Sequence, residues 1–131
     1  MTVAAMVIWF DEDVDMLVRC IESVAPFVDE IHAVDGAWDL YEHDSFVSPP
    51  EQREAIMAAA GNTACETWIP EKPWPTQVLK RSWGMQKASE NADWLIPLDA
   101  DWTFRGIPGE FRLQLENEPL GEAGEVVFYT P

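Results

Sequence analysis

The sequence predicts an α/β domain whose mostly parallel sheet is flanked by helices. Apolar runs of strand length alternate along the chain with segments in which apolar residues recur at helical spacing. Strands that alternate with helices are typical of layered domains built from right-handed crossovers. At 131 residues, the chain has the length of one compact domain with its own core. A single domain over residues 1–131 is therefore expected.

Patterns near the beginning of the chain predict two strands and the helix between them. Residues 2–10 form a continuous apolar run, typical of a strand that is covered on both faces of a parallel sheet. Residues 14–21 place apolar side chains at helical spacing, so we expect an amphipathic helix that Asp13 caps and that ends near Pro26. Residues 30–36 predict a second, shorter strand.

A second helix and a third strand are indicated next. Ser48, Pro49 and Glu51 have the pattern of a capping box with proline at the first helical position. The helix is expected to stop at Gly61, because glycine favours the backbone conformation that ends helices. Residues 64–69 then supply the third strand.

Loops separate these elements from a third helix. The polar, aperiodic residues 37–47 predict a loop, and the prolines within residues 70–75 require an irregular segment. Thr76 is placed to cap a helix that continues to about Glu90. Gly84 inside that helix costs about 1 kcal/mol relative to alanine. Its presence there indicates close packing or a nearby ligand.

Residues 93–101 predict a fourth strand that ends in two carboxylates separated by one residue. An extended backbone points alternate residues to the same side, so Asp99 and Asp101 are expected to project together while Ala100 faces away. Mg²⁺ and Mn²⁺ prefer such oxygen ligands and often share them with a phosphate. The alternative is that acids end strands merely because turns are solvated. In the remaining stretch, residues 105–131, we expect a helix at residues 108–115 and a last strand at residues 125–129.

Acidic residues follow three of the predicted strands. Asp11 and Glu12 come after the first strand, and Asp35 comes at the end of the second. In parallel sheets the ligand crevice lies outside the carboxyl ends of the strands, near the point where strand order reverses. Together with Asp99 and Asp101, these acids are therefore candidates for one shared site. The alternative is that acids suit strand-to-helix turns and help to cap the next helix.

The basic residues cluster just before the acidic pair. Half of the eight basic residues lie in this segment: Lys72, Lys80, Arg81 and Lys87. Lys80, Gly84 and Lys87 share one helix face, and the planar fork of Arg81 suits phosphate. A metal ion held by carboxylates beside an arginine would let an acidic protein bind a diphosphate. The alternative is an ordinary solvated helix face.

Composition excludes several classes of partner. The chain has 24 acidic and 8 basic residues, a formal net charge of −16, which would repel nucleic acid or an anionic membrane. Residues 1–10 lack a basic leader and resemble neither a signal peptide nor a membrane span. A soluble, cytoplasmic protein is expected. Cys20 and Cys65 stand apart from any CxxC or Cys/His cluster, so isolated buried thiols are favoured over a disulfide or a zinc site.

Histidine and tryptophan residues add few candidates. His32 lies inside the second strand and is expected to be packed or partnered, whereas His43 lies in the polar loop and is a candidate for substrate contact. Neither has a metal-ligand spacing. Trp38, Trp74 and Trp102 fall in or beside loops that would rim the crevice, where one of them could stack on a base or sugar ring.

Four segments, taken together, resemble a known family. The segments are residues 7–12, 32–39, 80–85 and 98–101. In this order they resemble the nucleotide-binding half of GT-A fold glycosyltransferases, and most of all the large inverting family 2, which has a DxD motif. The resemblance extends over residues 3–104. It implies a Rossmann-like nucleotide-diphospho-sugar transferase fold and a metal-dependent enzyme that transfers a sugar from a UDP- or GDP-type donor to an unknown acceptor.

The resemblance also implies roles for individual residues. Asp35 would contact the nucleotide base, and Arg81 would contact the nucleotide or its phosphates. Asp99 would meet the ribose or a metal-bound water, and Asp101 would hold Mn²⁺ or Mg²⁺, so that both acids belong to the metal site. The acids after the first strand, Asp11 and Glu12, are expected to join the nucleotide-sugar site.

Three departures from the family pattern bear on activity. Ser82 stands where the family commonly has asparagine, and Asp35 is a single acid where a doubled one is common. Thirty residues follow Asp101, whereas family members continue into an acceptor-binding half that carries the catalytic base. Neither Glu122 nor Glu125 has the context of that base, so the catalytic residue is not identified. A truncated form, a minimal relative and a donor-binding domain all remain open.

Two other functions remain as alternatives. One is a non-catalytic nucleotide-sugar-binding or assembly module, since fold does not fix function. The other is a haloacid-dehalogenase-like phosphatase, because residues 98–103 match its DxDxT motif with Asp99 as nucleophile. That class places the motif on its first strand, with further motifs far downstream.

Overall fold

A computed structural model describes residues 1–40 and 43–117 as a sheet with helices on both faces. Within these residues, four parallel strands form one sheet in the order β3-β2-β1-β4. The elements in chain order are β1 (Val3–Ile8), α1 (Val14–Val24), β2 (Glu30–Val34), α2 (Pro50–Ala60), β3 (Ala64–Trp68), α3 (Gln77–Ser89), β4 (Trp94–Asp99) and α4 (Pro108–Glu116). The predicted α/β class is confirmed, and the arrangement is consistent with a Rossmann-like fold. None of the helices in the described ranges is long and apolar enough to cross a membrane.

Strand β1 is an interior strand of the sheet and is buried on both faces, as its continuous apolar run predicts. It pairs with β2 on one side and with β4 on the other. Val3, Ala5 and Val7 belong to the larger core cluster, which includes residues of α1, α2 and α4. Met6 and Ile8 belong to a smaller cluster, which includes residues of α3. The alternation of strand side chains therefore divides the core into two layers.

Helix α1 begins as the sequence predicts. The Asp13 carboxylate accepts a hydrogen bond of 3.0 Å from the backbone amide of Met16, which caps the helix. Leu17 and Ile21 lie on the buried face. The helix ends at Val24 and continues as a short 3₁₀ turn, Ala25–Phe27, which contains the proline expected to stop it.

The predicted capping box at the start of α2 is wrong. Pro49 is the N-cap and offers no side-chain bond, and Pro50 is the first helical residue. The Ser48 hydroxyl instead donates a 2.6 Å hydrogen bond to Asp35, a charge-assisted bond that is stronger than a neutral cap. Gly61 does end the helix, with a positive φ of 59° that an L side chain would rarely adopt.

Helix α3 packs closely on the sheet at Gly84. Thr76 caps the helix by accepting from the backbone amide of Leu79 at 3.1 Å, as predicted. A Cβ added at Gly84 would lie 2.9 Å from the Met6 sulfur and 3.0 Å from a Val34 methyl carbon. The helical glycine is therefore explained by close packing, one of the two explanations that the sequence offers.

Helix α4 confirms the helix expected near residues 108–115. Its Arg112 donates hydrogen bonds to Asp29 at 3.1 Å and to the Met1 carbonyl at 3.0 Å, and these bonds join α4 to the amino-terminal edge of the sheet. The strand expected at residues 125–129 lies outside the described residues, as do Glu122 and Glu125.

Both cysteines are free, which agrees with the expectation of isolated thiols. Cys20 is buried and Cys65 is half-buried. Burial raises the pKa of the Cys20 thiol to about 12 and that of Cys65 to about 11. Both thiols are therefore protonated and weakly nucleophilic at neutral pH.

Candidate functional site

A crevice opens where the order of the strands reverses. The chain runs from β1 to β2 to β3 in one direction and then returns to place β4 on the other side of β1. In parallel sheets this reversal is the usual site of ligand binding. The crevice has a volume of about 380 Å³, within the range of small-molecule sites. Its wall includes Glu12, Trp38, Lys80, Asp99 and Asp101.

Three of the predicted site residues meet in this crevice. Glu12 comes from the turn after β1, whereas Asp99 and Asp101 come from the end of β4. Ala100 between them is buried and belongs to the larger core cluster, so the two acids project away from the core. Burial raises the pKa of Glu12, and the nearby negative charge of Asp101 raises it further. These three carboxylates make their side of the crevice acidic.

Arg81 forms an ion pair with the first acid of the pair. One of its guanidinium nitrogens lies 2.7 Å from an Asp99 carboxylate oxygen, and each side chain is about one-third exposed. The contact joins α3 to the carboxyl end of β4. It holds Asp99 in one orientation and brings a planar cation to the edge of the crevice.

Asp35 lies beneath the loop that follows β2. It is 1% exposed, and its oxygens accept bonds from the Gly36 amide at 2.7 Å, the Ser48 amide at 2.9 Å and the Ser48 hydroxyl at 2.6 Å. Burial raises its pKa, while these three hydrogen bonds act in the opposite direction. The carboxylate therefore anchors both ends of the loop from Gly36 to Ser48.

The turn after β1 is strained, and side chains at and just before the start of α2 hold it in place. Asp11 has a φ of 45°, in the left-handed region that non-glycine residues seldom occupy. Its backbone amide donates to the Ser48 hydroxyl at 2.8 Å, and its carboxylate accepts from the Gln52 amide group at 3.2 Å. The side-chain carbonyl of Gln52 accepts from the Glu12 backbone amide at 3.1 Å. Ser48 and Gln52 thereby fix the turn that places Glu12 at the crevice.

Sequence reasoning missed the roles of Ser48 and Gln52. Ser48 has the pattern of a helix cap, and Gln52 is a polar residue within a helix. In the structure both are buried, at 5% and 6% exposure. No local pattern predicts this, because the partners are 13 and about 40 positions away in the sequence.

Lys80 is buried rather than solvated. Its side chain is 1% exposed, and its ammonium donates to the Trp9 carbonyl at 2.6 Å and the Gly36 carbonyl at 2.7 Å. Burial lowers its pKa to about 8. The solvated-face alternative is therefore wrong at this position. Lys87 is half-buried, lying over the Trp68 ring at 4.9 Å and 3.6 Å from Glu90.

Both histidines have defined surroundings. His32 is 8% exposed, accepts at Nδ1 from the Trp68 indole at 3.2 Å and has Nε2 3.1 Å from Glu30. This confirms the expectation of a partnered histidine. His43 packs edge-on to Phe10, with ring centroids 6.2 Å apart, in a second cavity of about 610 Å³ that Asp11 also lines.

One of the three candidate tryptophans lines the crevice. That residue is Trp38. Trp74 donates its indole N–H to the Asp35 carbonyl at 2.9 Å and packs against Trp83, with ring centroids 5.5 Å apart. Trp102 packs against the larger core cluster.

The donor set of the crevice can be tested against the expected metal. Among residues 1–40 and 43–117, no group of three or more His, Cys, Asp or Glu side chains is arranged to hold an ion. Mg²⁺ commonly needs only one or two carboxylates and takes its remaining ligands from phosphates and water. Asp99 and Asp101 therefore fit an ion that is completed by a diphosphate, and do not form a closed all-protein cage.

Comparisons with known proteins do not narrow the function. No protein-family model, curated protein or solved structure matches this chain. The function must therefore be inferred from the residues of the site. These are an acidic crevice at the strand reversal, an arginine at its edge and a buried lysine in its wall.

Proposed function

We propose that this chain binds a nucleoside-diphosphate sugar of the UDP or GDP type together with Mn²⁺ or Mg²⁺, and acts as a GT-A-type glycosyltransferase or its donor-binding domain. The observation behind the proposal is the set of acids Glu12, Asp99 and Asp101 at the strand-order reversal, with Arg81 bound to Asp99. A crevice at this place in a parallel sheet suits a nucleotide. Its acids suit a hard cation that bridges to phosphate.

The two acids of β4 take different parts in the proposed site. Asp101 is exposed and lines the crevice, so it is the side chain best placed to hold the ion. Asp99 already accepts from Arg81, and its position suits a water on the ion or a ribose hydroxyl. Arg81 would then face the phosphates from the edge of the site, where its planar fork matches phosphate oxygens.

Recognition of the base draws on the loop after β2. Trp38 lines the crevice and offers an aromatic face for stacking. Asp35 would have to give up a bond from Ser48 or Gly36 to contact a base directly, so we assign it an indirect part. It fixes the loop that carries Trp38. Asp11 acts similarly, by shaping the turn that presents Glu12.

Transfer of the sugar would need the nucleoside diphosphate as leaving group and an activated acceptor hydroxyl. When bound, the metal ion stabilises the negative charge that develops on the diphosphate. A general base must take the proton of the acceptor hydroxyl, and no described residue is assigned to this step. The phosphatase alternative gains no support, because Asp99 ends the fourth strand in chain order, whereas that class places the motif on its first strand.

The test is calorimetric titration with UDP, GDP and their sugar conjugates, each with Mn²⁺, with Mg²⁺ and with chelator. We expect binding that requires the ion and falls at least about tenfold in Asp101→Asn. Asp15→Asn, an exposed acid in the first turn of α1, is the matched control and should leave the affinity unchanged. If none of these nucleotides binds in the presence of either ion, the proposal is wrong. Release of free nucleoside diphosphate on adding acceptors separates a transferase from a binding module.

A further inference from the structure

We propose that the buried ammonium of Lys80 is the positioning charge of the crevice, which draws the diphosphate into the acidic site and disfavours a metal ion that arrives without it. The inference rests on the proposed function and adds a residue to the same site. It starts from an unusual observation. Lysine is among the residues least often fully buried, yet Lys80 is 1% exposed in the wall of the crevice.

The ammonium is held at a defined point. It bonds to the carbonyls of Trp9 and Gly36, at 2.6 and 2.7 Å. These carbonyls belong to the turns after β1 and β2, so the charge sits at the carboxyl edge of the sheet. An ammonium has three N–H groups, and two of them are used. A neutral donor could satisfy two carbonyls without the large desolvation cost of a charge, which indicates that the charge itself has a use.

The charges around Lys80 are mostly negative. Glu12 and Asp35 face it from the turns after β1 and β2, and Arg81 adjoins it on α3. Asp99 and Asp101 complete the acidic wall of the crevice. A buried charge acts through a poorly screening medium, so its effect on a ligand extends beyond direct contact. It therefore offsets the acids when an anionic diphosphate enters and opposes a bare cation.

A purely structural role predicts a different result. If Lys80 served only to hold the two turns together, losing it would loosen the crevice and weaken every ligand. A positioning charge has effects of opposite sign: its loss weakens diphosphate binding, whereas binding of the metal alone stays equal or tightens. The two roles can therefore be separated by measuring both ligands on the same variants.

The experiment compares the wild-type chain with Lys80→Met, Lys80→Gln and Lys80→Arg. Lys80→Met removes charge and donors, Lys80→Gln keeps a neutral donor, and Lys80→Arg keeps the charge. Lys87→Met is the matched control, since Lys87 lies on the same helix but contacts Trp68 and Glu90 instead. Each protein is titrated with MnCl₂ alone and with UDP or GDP in saturating Mn²⁺, and its fold is checked by circular dichroism.

We expect the neutral variants to lose about tenfold to a hundredfold in affinity for the nucleoside diphosphate, with Mn²⁺ alone bound equally or more tightly. Lys80→Arg should recover most of the diphosphate affinity, and Lys87→Met should match the wild type. A folded neutral variant within twofold of wild-type diphosphate affinity overturns the inference. Parallel loss of both ligands, or failure of both neutral variants to fold, assigns Lys80 a structural role and also overturns it. Failure of the proposed function is distinguishable, because then the wild-type chain itself binds no nucleoside diphosphate with either ion.

Discussion

A guanidinium nitrogen of Arg81 lies 2.7 Å from a carboxylate oxygen of Asp99, and this contact makes the two acids of the pair unequal. Asp101, two residues further on, has no ion-pair partner among residues 1–40 and 43–117. The first acid is therefore oriented by the protein, and the second is open to solvent. If the proposed site is correct, we expect substitution of Arg81 to affect ligand binding more than stability.

For Arg81→Gln we expect a loss of less than about 1 kcal/mol in the free energy of unfolding, because ion pairs between partly exposed groups contribute little. Nucleoside-diphosphate affinity should fall about tenfold, because a charge-assisted contact to phosphate is lost. Urea denaturation and calorimetry measure the two effects. Arg53→Gln, an exposed position on α2, should change neither quantity. A large loss of stability with unchanged affinity would show that Arg81 has a structural role instead.

Ser48→Ala should lower the free energy of unfolding by about 1–3 kcal/mol, because it leaves the buried Asp35 carboxylate and the Asp11 amide short of a partner. The control is Ser45→Ala in the same loop, whose hydroxyl is exposed and bonds to nearby Val47. That change should stay within about 0.5 kcal/mol, as surface substitutions usually do. Chemical denaturation of the two variants measures the difference, and equal effects would contradict the buried network.

Gly84→Ala should destabilise the protein although alanine favours helices. The added Cβ would lie about 3 Å from Met6 and Val34, and overpacking of this kind costs about 1–3 kcal/mol. Gly109→Ala in α4 is the matched control, because within residues 1–40 and 43–117 a Cβ at Gly109 meets no atom within 4 Å beyond its chain neighbours and its own helix backbone. The control should gain up to about 1 kcal/mol from helix propensity. Thermal and urea unfolding compare the two, and a stabilised Gly84→Ala would refute the close approach of α3 to the sheet.

The pH dependence of stability should reveal the buried lysine. Burial lowers the pKa of Lys80 from 10.5 to about 8, so between these values the unfolded chain holds a proton that the folded chain has lost. Stability contributed by this group therefore rises with pH across that window, by about 1.4 kcal/mol at most for each pH unit. Urea denaturation at pH 7.5 and 9.5 should show wild-type stability rising relative to Lys80→Gln.

The comparison with Lys80→Gln removes the contribution of the thiols. Burial raises the pKa of Cys20 to about 12, so that thiol stays protonated in the fold while it ionises in the unfolded chain. The Cys20 thiol therefore lowers the free energy of unfolding as pH rises, which is opposite to the effect of Lys80. This contribution is the same in the wild type and in Lys80→Gln. A difference between wild type and variant that is flat from pH 7.5 to 9.5 would contradict the lowered pKa of Lys80.

The elements of this fold were predictable because their signals are local. The apolar run of β1, the helical spacing in α1 and the caps Asp13 and Thr76 each depend on residues within about one or two helical turns of one another. The convergence of Glu12 with the acids after β4 was also predictable, because parallel strands end at one edge.

The remaining features depend on tertiary partners. Ser48 satisfies a capping pattern, but Asp35 competes for its hydroxyl and provides the stronger acceptor. Helical spacing placed Lys80 on the same helix face as Gly84, but the spacing does not predict how deeply a side chain on that face is buried. Burial of the ammonium depends on partners that come from other turns, among them the Trp9 and Gly36 carbonyls. Residues that support a site from another element leave no local pattern in the sequence.

The position of β1 between β2 and β4 also has a kinetic consequence. Val3 pairs with Trp94, about ninety positions away, whereas β1 reaches β2 after one short helix. Pairings of such long range slow folding, because the chain entropy is lost before the contact forms. The β1-β2-β3 layer should therefore assemble first, with one edge of β1 still unpaired until β4 docks. The crevice lies at the carboxyl end of the β1-β4 pairing, so it should form only when β4 docks.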